Sequence, residues 1–284
     1  MFDPDQCAAY LERIGVSGSV RADLETLRRV HVGHATTMVY ENLDIQLGRP
    51  VGLDTDTLFD KFVAGGRGGF CYENNGVLGA ALTALGFPVT LLTGAVHLET
   101  AGERAWGNHV VLGVRVDGRD WLADGGLGTG FREPLPWVAG VHRQDGWDYQ
   151  LDRLRDGHWR CRLPSGASLE SFDFRSEPPA RWADFVPYSR VLATDPESPF
   201  VTILTVQRTR PRDFAVLRSR TLRLTGPDVR DGEESRLLSD VDEFADVLTG
   251  VFGLDLSGFT GAELELLWRK ACEQHEVWLS RQAG

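Results

Sequence analysis

The sequence has few cysteines, and they lie far apart along the chain. Cys7, Cys71, Cys161 and Cys272 form no CxxC pair and no cluster with histidine. Zinc sites usually show such close spacing, so we expect no bound metal. Scattered, unpaired cysteines are also typical of proteins in a reducing compartment, and we therefore expect a cytoplasmic protein.

Long apolar runs and an excess of positive charge are missing as well. No run reaches the ~20 apolar residues of a membrane-spanning helix. The opening MFDPDQCAAY lacks the basic and apolar regions of a signal peptide. Lys and Arg number 30 against 41 Asp and Glu, a formal net charge of −11. Neither a nucleic acid nor an anionic membrane is therefore an expected partner.

Glycine, by contrast, is concentrated just before one cysteine. Four glycines at positions 65–69 precede Cys71, and an apolar helical pattern follows over 77–85, with Gly86 as the expected stop. Cys71 is thus predicted at a helix N-terminus, whose partial positive charge favours a thiolate. A thiolate attacks carbonyl carbon, which makes Cys71 a candidate nucleophile. The alternative is a small buried apolar residue.

A chain of 284 residues is too long for one compact core, and its pattern divides it into three segments. Residues 1–86 show helical periodicity and end on the helix that carries Cys71. Residues 87–195 show short apolar runs separated by turn residues, which indicates an antiparallel barrel or sandwich. Residues 196–284 show further strands followed by two helices.

One turn in the middle segment predicts a pairing of side chains. Asp117-Gly118 lies between two apolar runs, a strong signal for a two-residue hairpin turn. If that turn is unbroken, Val111 faces Asp124 on the neighbouring strand. His109 and Asp124 then lie on one face as diagonal neighbours, about 7–8 Å apart at the backbone.

That pairing suggests a catalytic role for both residues. A carboxylate at Asp124 would fix the tautomer of His109 and leave its second nitrogen free to take a proton from Cys71. Nucleophile, base and orienting carboxylate together predict acyl chemistry. Two alternatives stay open: Asp124 is an ordinary turn residue, or His97, at the end of another strand, is the base.

The segment RGGFCYENN at 67–75 resembles the RGGxCxExN signature of the arylamine N-acetyltransferase family. Four weaker resemblances follow the family order. They are residues 40–43 with its PFENL segment, 108–112 with its histidine strand, 124–128 with its DVGFG segment and 198–200 with its SPF segment. Tyr40 stands where the family has phenylalanine, and Gly125 and Leu127 replace the valine and phenylalanine of DVGFG.

The resemblance implies an α+β fold with a catalytic core like that of cysteine proteases and transglutaminases. An N-terminal helical bundle (1–86) would precede a central antiparallel β-barrel (87–195) and a C-terminal α/β lid (196–284). It also implies a Cys71–His109–Asp124 triad that carries an acyl thioester in a ping-pong reaction. Acetyl-CoA would be the donor, and an arylamine or arylhydrazine the acceptor.

The resemblance further implies residues that contact the substrates. For the acceptor these are Tyr40, Phe70, Leu127 and Phe200, and for CoA they are Gly126, Gly128 and Thr129. We add Arg208 and Arg210, because they alternate with Arg212 along one predicted strand and would give this acidic protein a cationic patch for the donor.

Other functions fit the same residues. A branch of the family comprises amide synthases, which take a polyketide from an acyl carrier protein and close a macrolactam. A cysteine hydrolase or transglutaminase-like enzyme would use the same triad, and a binding protein would keep the fold without catalysis. The expected partners are therefore a small aromatic amine and an acyl-CoA or an acyl carrier protein.

Overall fold

The first part of the chain is helical, as its periodicity predicts. In the computed structural model, which describes residues 1–282, Asp3 and Asp23 cap the first two helices by accepting backbone N–H groups of the first turn. The elements are α1 (Pro4–Arg13), α2 (Leu24–Thr37), the short strand β1 (Tyr40–Glu41), α3 (Leu43–Gln46), α4 (Thr55–Phe59), a π-helical turn (Asp60–Ala64) and α5 (Cys71–Ala84).

Helix α5 is buried along most of its length and starts at Cys71. The carboxylate of Glu73 accepts the N–H of Phe70 at 3.1 Å, which fixes the start of the helix. Gly86 follows the last turn with φ +87°, a left-handed conformation that ends the helix. Both predicted ends of this helix are confirmed.

Eight strands of the middle segment form one antiparallel sheet that curls into a nearly closed barrel. Their order is β5-β4-β3-β2-β9-β8-β7-β6. The barrel interior is apolar and includes Leu92, Val111 and Phe172. The strands are β2 (Val89–Val96), β3 (His109–Val116), β4 (Arg119–Ala123), β5 (Leu135–Pro136), β6 (Gly140–Gln144), β7 (Trp147–Arg153), β8 (Trp159–Arg162) and β9 (Ser171–Ala180), with α6 (Leu98–Ala101) between β2 and β3.

A second antiparallel sheet, with the order β1-β10-β11-β12-β13, packs against two C-terminal helices. The remaining elements are α7 (Trp182–Thr194), α8 (Pro199–Thr202), β10 (Thr205–Thr209), β11 (Phe214–Arg218), β12 (Thr221–Thr225), β13 (Glu233–Leu237), α9 (Val241–Gly250) and α10 (Gly261–Gln282). Strand β1 belongs to the first segment but pairs with β10, where Tyr40 faces Gln207. Whether 1–86, 87–195 and 196–284 behave as separate units stays a prediction.

The architecture confirms the predicted α+β class. Helices precede an antiparallel barrel, and a smaller sheet with helices follows it. Over residues 1–282, every helix is too short or too polar to cross a bilayer.

Candidate active site

Three side chains from three different elements meet at the start of α5. Cys71 is the first residue of α5, His109 is the first of β3, and Asp124 follows directly after β4. His109 Nε2 lies 2.7 Å from Asp124 Oδ2. Only 4% of Cys71, 1% of His109 and 2% of Asp124 is exposed, so water screens these groups little.

The hairpin between β3 and β4 has the predicted register. Val116 faces Arg119, and the pairing continues without a bulge to Leu112 opposite Ala123. The regular ladder carries Asp124 to the same face as His109. The predicted contact between these two side chains is therefore confirmed.

The imidazole of His109 lies between a carboxylate and a thiol. Burial disfavours its charged form, but the charge and hydrogen bond of Asp124, together with Cys71, raise the pKa of His109 to about 10. Because Asp124 holds Nε2, Nδ1 is the nitrogen left for Cys71. Such an imidazole can take a thiol proton and keep it as an imidazolium.

His97, the alternative base, lies elsewhere. It is exposed at the end of β2, in a left-handed conformation with φ +61°. The structure brings His109, and not His97, to Cys71.

Sequence analysis missed the residues that hold Asp124 in place. Asn75 Nδ2 and the N–H of Gly126 both donate to Asp124 Oδ1, each at 2.8 Å, which leaves Oδ2 for His109. Asn75 lies one helical turn after Cys71, on the same face of α5, and this spacing is a signal that can be found in the sequence.

His31 supports Asp124 from the other side. Its Nε2 accepts the N–H of Asp124 at 2.9 Å, and its Nδ1 donates to Arg132 O at 2.8 Å. Burial lowers the pKa of His31 to about 4, so the ring is a neutral bridge between two backbone groups. The sequence gives no signal for this role, because 93 positions separate His31 from Asp124.

His34 explains why residue 125 is a glycine. His34 is fully buried, and its Nδ1 lies 2.9 Å from the hydroxyl of Tyr10. A Cβ added at Gly125 would lie 2.4 Å from His34 Nε2, closer than real Cβ atoms approach a neighbour. The imidazole thus fills the space that a side chain at 125 would need.

Gly125→Val is therefore expected to lower the free energy of unfolding by about 1–3 kcal/mol, the usual cost of overpacking. Adding His34→Ala should recover part of this loss, because it empties the space. Urea unfolding of both single variants and the double variant measures the coupling between the two sites. Gly79→Ala is the matched control, since its added Cβ would have 3.6 Å to the nearest atom. Equal losses in the single and double variants would contradict the packing account.

Three of the four predicted acceptor residues lie together beside Cys71. The ring of Phe70 meets that of Phe200 edge to face at 5.4 Å, and Tyr40 lies 6.5 Å from Phe200. All three belong to one apolar cluster with Cys71. Leu127 packs instead into the barrel core. Contact of these residues with an acceptor stays a prediction.

Two of the predicted CoA residues border the site, and the third supports the fold. A Cβ at Gly126 would lie 2.7 Å from Cys71 O, and one at Gly128 would lie 3.0 Å from Tyr40 Cβ. Thr129 is fully buried, and its hydroxyl accepts the N–H of Ser168 at 2.7 Å.

The prediction that Arg208, Arg210 and Arg212 share one strand face is wrong, because β10 ends at Thr209. Arg208 donates to the backbone oxygens of Thr36 and Phe252, both at 2.9 Å. Arg210 and Arg212 are paired with Asp213 and Asp228. These contacts are internal, so they give no support to a role in binding phosphate.

Buried ion pairs hold the glycine segment beneath Cys71. Arg67 Nη2 lies 2.6 Å from Glu41 Oε1. Lys61 Nζ lies 2.7 Å from Glu73 Oε1, the residue that also fixes the start of α5. Charge pairing therefore stabilises the backbone that presents Cys71.

The other cysteines lie in less favourable places. Cys7 lies inside α1, Cys161 in β8 and Cys272 in the middle of α10. Burial raises the pKa of both Cys7 and Cys161, which disfavours their thiolates. Of the four, Cys71 has the helix N-terminus and the imidazole. In the part of the chain that the structure describes, no three His, Cys, Asp or Glu side chains gather as a metal site would require.

Stability is expected to be greatest near pH 6.5, the ordinary pKa of histidine. Burial lowers the pKa of His31 to about 4 and of His34 to about 3, so their contribution is complete above pH 6.5 and is lost in acid. The pKa of His109 is raised to about 10, so its contribution is complete below pH 6.5 and is lost as pH rises through 10.

Urea unfolding at about pH 5, 6.5 and 9 measures this profile. His109→Asn should flatten the alkaline decline, whereas His97→Asn, at an exposed position, should leave it unchanged. A wild-type stability that does not fall between pH 6.5 and 9 would contradict the assignment for His109.

Comparison with known proteins finds relatives over most of the chain. The family model described as N-acetyltransferase matches residues 23–260. The arylamine N-acetyltransferase of Mycolicibacterium smegmatis is 35% identical over 90% of this chain and 94% of its own length. That of Escherichia coli K12 is 32% identical over 91% of this chain and 93% of its own.

Solved structures show the same likeness. The Mycobacterium marinum arylamine N-acetyltransferase, determined in complex with CoA, superposes with a TM-score of 0.84 at 30% identity and covers 94% of this chain and 99% of that one. The Mycobacterium abscessus enzyme superposes with a TM-score of 0.84 at 31% identity, covering 94% of this chain and 95% of that one. The chain therefore belongs to the arylamine N-acetyltransferase family and is an acyltransferase.

Proposed function

We propose that this enzyme moves an acetyl group from acetyl-CoA, through a thioester on Cys71, to the nitrogen of an arylamine or arylhydrazine. The observation that carries the proposal is the 2.7 Å contact between His109 and Asp124 beside a cysteine at a helix N-terminus. This arrangement combines a nucleophile, a base and a group that orients the base.

The first half of the reaction loads Cys71. His109 Nδ1 takes the thiol proton, and Asp124 stabilises the imidazolium that forms. The thiolate attacks the thioester carbonyl of the donor, and the tetrahedral intermediate expels CoA, which receives the proton from His109. The N–H groups in the first turn of α5 have no acceptor within the helix and can stabilise the oxyanion, at roughly 3 kcal/mol per donor.

The second half of the reaction transfers the acetyl group from Cys71 to the amine. The amine attacks the acetyl carbonyl on Cys71, His109 takes the amine proton, and the amide leaves as the Cys71 thiolate is restored. Phe70, Phe200 and Tyr40 form an aromatic wall beside Cys71, which suits a flat acceptor. Since donor and acceptor use the same thioester in turn, the kinetics are ping-pong.

The choice of CoA as donor rests on likeness. A relative of 30% identity that covers nearly the whole chain was solved with CoA. Within residues 1–282, no contact in the structure favours an acyl carrier protein over CoA. The amide synthase alternative is therefore one of the outcomes that the experiment below distinguishes.

Incubation with acetyl-CoA, with and without an aromatic amine, tests the proposal. We expect CoA release that depends on the amine, and parallel lines in double-reciprocal plots. Equal release without amine would indicate a hydrolase. Loading from an acyl-pantetheine or acyl carrier protein, with none from acetyl-CoA, would indicate an amide synthase. If acetyl-CoA released no CoA and the other donors did not load Cys71, the chain would be a binding protein without catalytic activity.

A further inference from the structure

A large groove lies between α10 and the second sheet, away from Cys71. Its volume is about 920 Å³, which is in the range of small-molecule sites. Strands β11 and β12 form the floor, α10 forms one wall, and α8 with the turn before it forms the other. None of the residues that we place in acetyl transfer lines it.

Two arginines on the floor have no partner of opposite charge. Arg218 faces Thr221 and Val216 faces Arg223 across the β11–β12 pair, so all four lie on the same face of the sheet. Within residues 1–282, neither arginine lies within salt-bridge distance of a carboxylate, whereas Arg49, Arg67 and Arg160 do. Side chains of this length can converge on one anionic group from diagonal positions.

The environment of Arg218 favours an anion. The residue is exposed overall, but the groove walls partly desolvate its guanidinium, and together with the nearby charge of Arg223 this lowers its pKa from the usual value. An anion bound between Arg218 and Arg223 would offset both effects. Four cationic side chains line the groove, namely Arg218, Arg223, Lys270 and Arg281, and two carboxylates line it as well. The groove is thus more cationic than the protein as a whole, whose net charge is −11.

The two walls of the groove carry apolar side chains. Trp278 and Val277 of α10 line it while each keeps 50% of its surface exposed. Val201 and Ile203 line the opposite wall. Large exposed apolar side chains next to unpaired cations are typical of a site for a ligand with one charged end and one apolar end.

Helix α8 separates this groove from Cys71. Its backbone is held by Asn42, whose Nδ2 donates to Phe200 O at 2.8 Å and to Ile203 O at 2.7 Å, and by Gln46, whose Nε2 donates to Phe200 O at 2.7 Å. Val201 lines the groove and also packs against the cluster of Cys71, in which the Phe200 ring packs on Phe70, so α8 lies between the groove and that cluster.

We propose that the groove is a second ligand site, which binds a small amphipathic anion. A carboxylate or phosphate lies between Arg218 and Arg223, and an apolar or aromatic body lies against Trp278. The site is distinct from the one that performs acetyl transfer.

Calorimetric titration of the full chain tests this proposal with three probes that share one apolar body. They are 4-phenylbutyrate, 4-phenylbutyl phosphate and the neutral 4-phenylbutanol, and inorganic phosphate is a fourth probe without the body. We expect at least one organic anion to bind saturably and the alcohol to bind roughly tenfold more weakly or worse. Comparison of the two anions tells a carboxylate site from a phosphate site.

Variants locate the binding. Arg218→Met and Arg223→Met should each weaken the anion by roughly tenfold or more, because each removes a charge-assisted hydrogen bond. Trp278→Ala should weaken the organic anions but not inorganic phosphate. Arg212→Met is the matched control, since Arg212 is paired with Asp228 outside the groove, and it should change affinity less than twofold.

Three results would overturn the proposal. The first is the absence of saturable binding by either anion. The second is an affinity in the Arg218→Met and Arg223→Met variants equal to that of the wild-type protein. The third is displacement of the anion by acetyl-CoA, which would assign the groove to the donor. The titration does not measure acetyl transfer, so its failure leaves the proposed reaction untouched, and a failed transfer assay leaves the groove untouched.

Discussion

Asp124→Asn is expected to slow acetylation of Cys71 by about 10⁴-fold, as in serine enzymes with the same substitution. Two donors, Asn75 Nδ2 and Gly126 N–H, point at Oδ1 and will keep the amide oxygen on their side. The amide NH₂ then faces His109 Nε2, which must become an acceptor. The proton moves to Nδ1, and His109 loses the lone pair that would take the proton of Cys71.

Quenched single-turnover acetylation, followed by mass spectrometry, measures this rate. Asp120→Asn is the matched control, because Asp120 lies on the same hairpin but is exposed and paired with Arg115. Thermal unfolding should show both variants folded. If Asp124→Asn kept most of the rate while Asp120→Asn lost it, the role of Asp124 would be refuted.

Cys71→Ala is expected to abolish transfer to the amine, with a loss of roughly 10⁶-fold, as when other triads lose their nucleophile. The remaining imidazole and the helix N-terminus cannot form a thioester. Cys71→Ser should be nearly as inactive, because a hydroxyl is a far weaker nucleophile at neutral pH.

Steady-state assays with acetyl-CoA and an aromatic amine measure this loss. Cys272→Ser is the control, since Cys272 lies partly exposed in the middle of α10 and should keep full activity. A Cys71→Ala variant that still acetylates the amine at a comparable rate would show direct transfer without a covalent intermediate.

The contact between His109 and Asp124 was predictable because its cause is local. Asp-Gly at 117–118 sets a two-residue turn, and strand periodicity carries the register to Leu112 opposite Ala123. The position of Cys71 at the start of α5 was predictable for the same reason, since the glycines and the apolar periodicity adjoin it in the chain.

The support of Asp124 was not predictable, because it comes from distant parts of the chain. His31 reaches Asp124 across 93 positions, and only the packing of α2 on the barrel hairpin brings them together. The sequence likewise gives no reason for Gly125 in place of the family's valine. The reason lies in His34, which occupies the space beside Gly125 in the folded protein.

The prediction of a cationic strand face formed by arginines was wrong for a related reason. An alternating pattern at 208–212 suggested one strand face, but the strand ends at Thr209, and a turn carries Arg210 to Asp213. Arg208 instead donates to carbonyl oxygens of α2 and of the segment that follows α9, and so holds the two together. Whether a cation binds a ligand or supports the fold depends on contacts that a periodic pattern does not contain.

The central claim is that Cys71 carries the acyl group, and intact-mass spectrometry after exposure to acetyl-CoA without amine tests it most directly. We predict one added acetyl group, mapped to the peptide that contains Cys71 and removed as an amide when an aromatic amine is supplied. An acetyl group on Cys7, Cys161 or Cys272 that persists in Cys71→Ala, or amine acetylation with no adduct at any time, would contradict the claim.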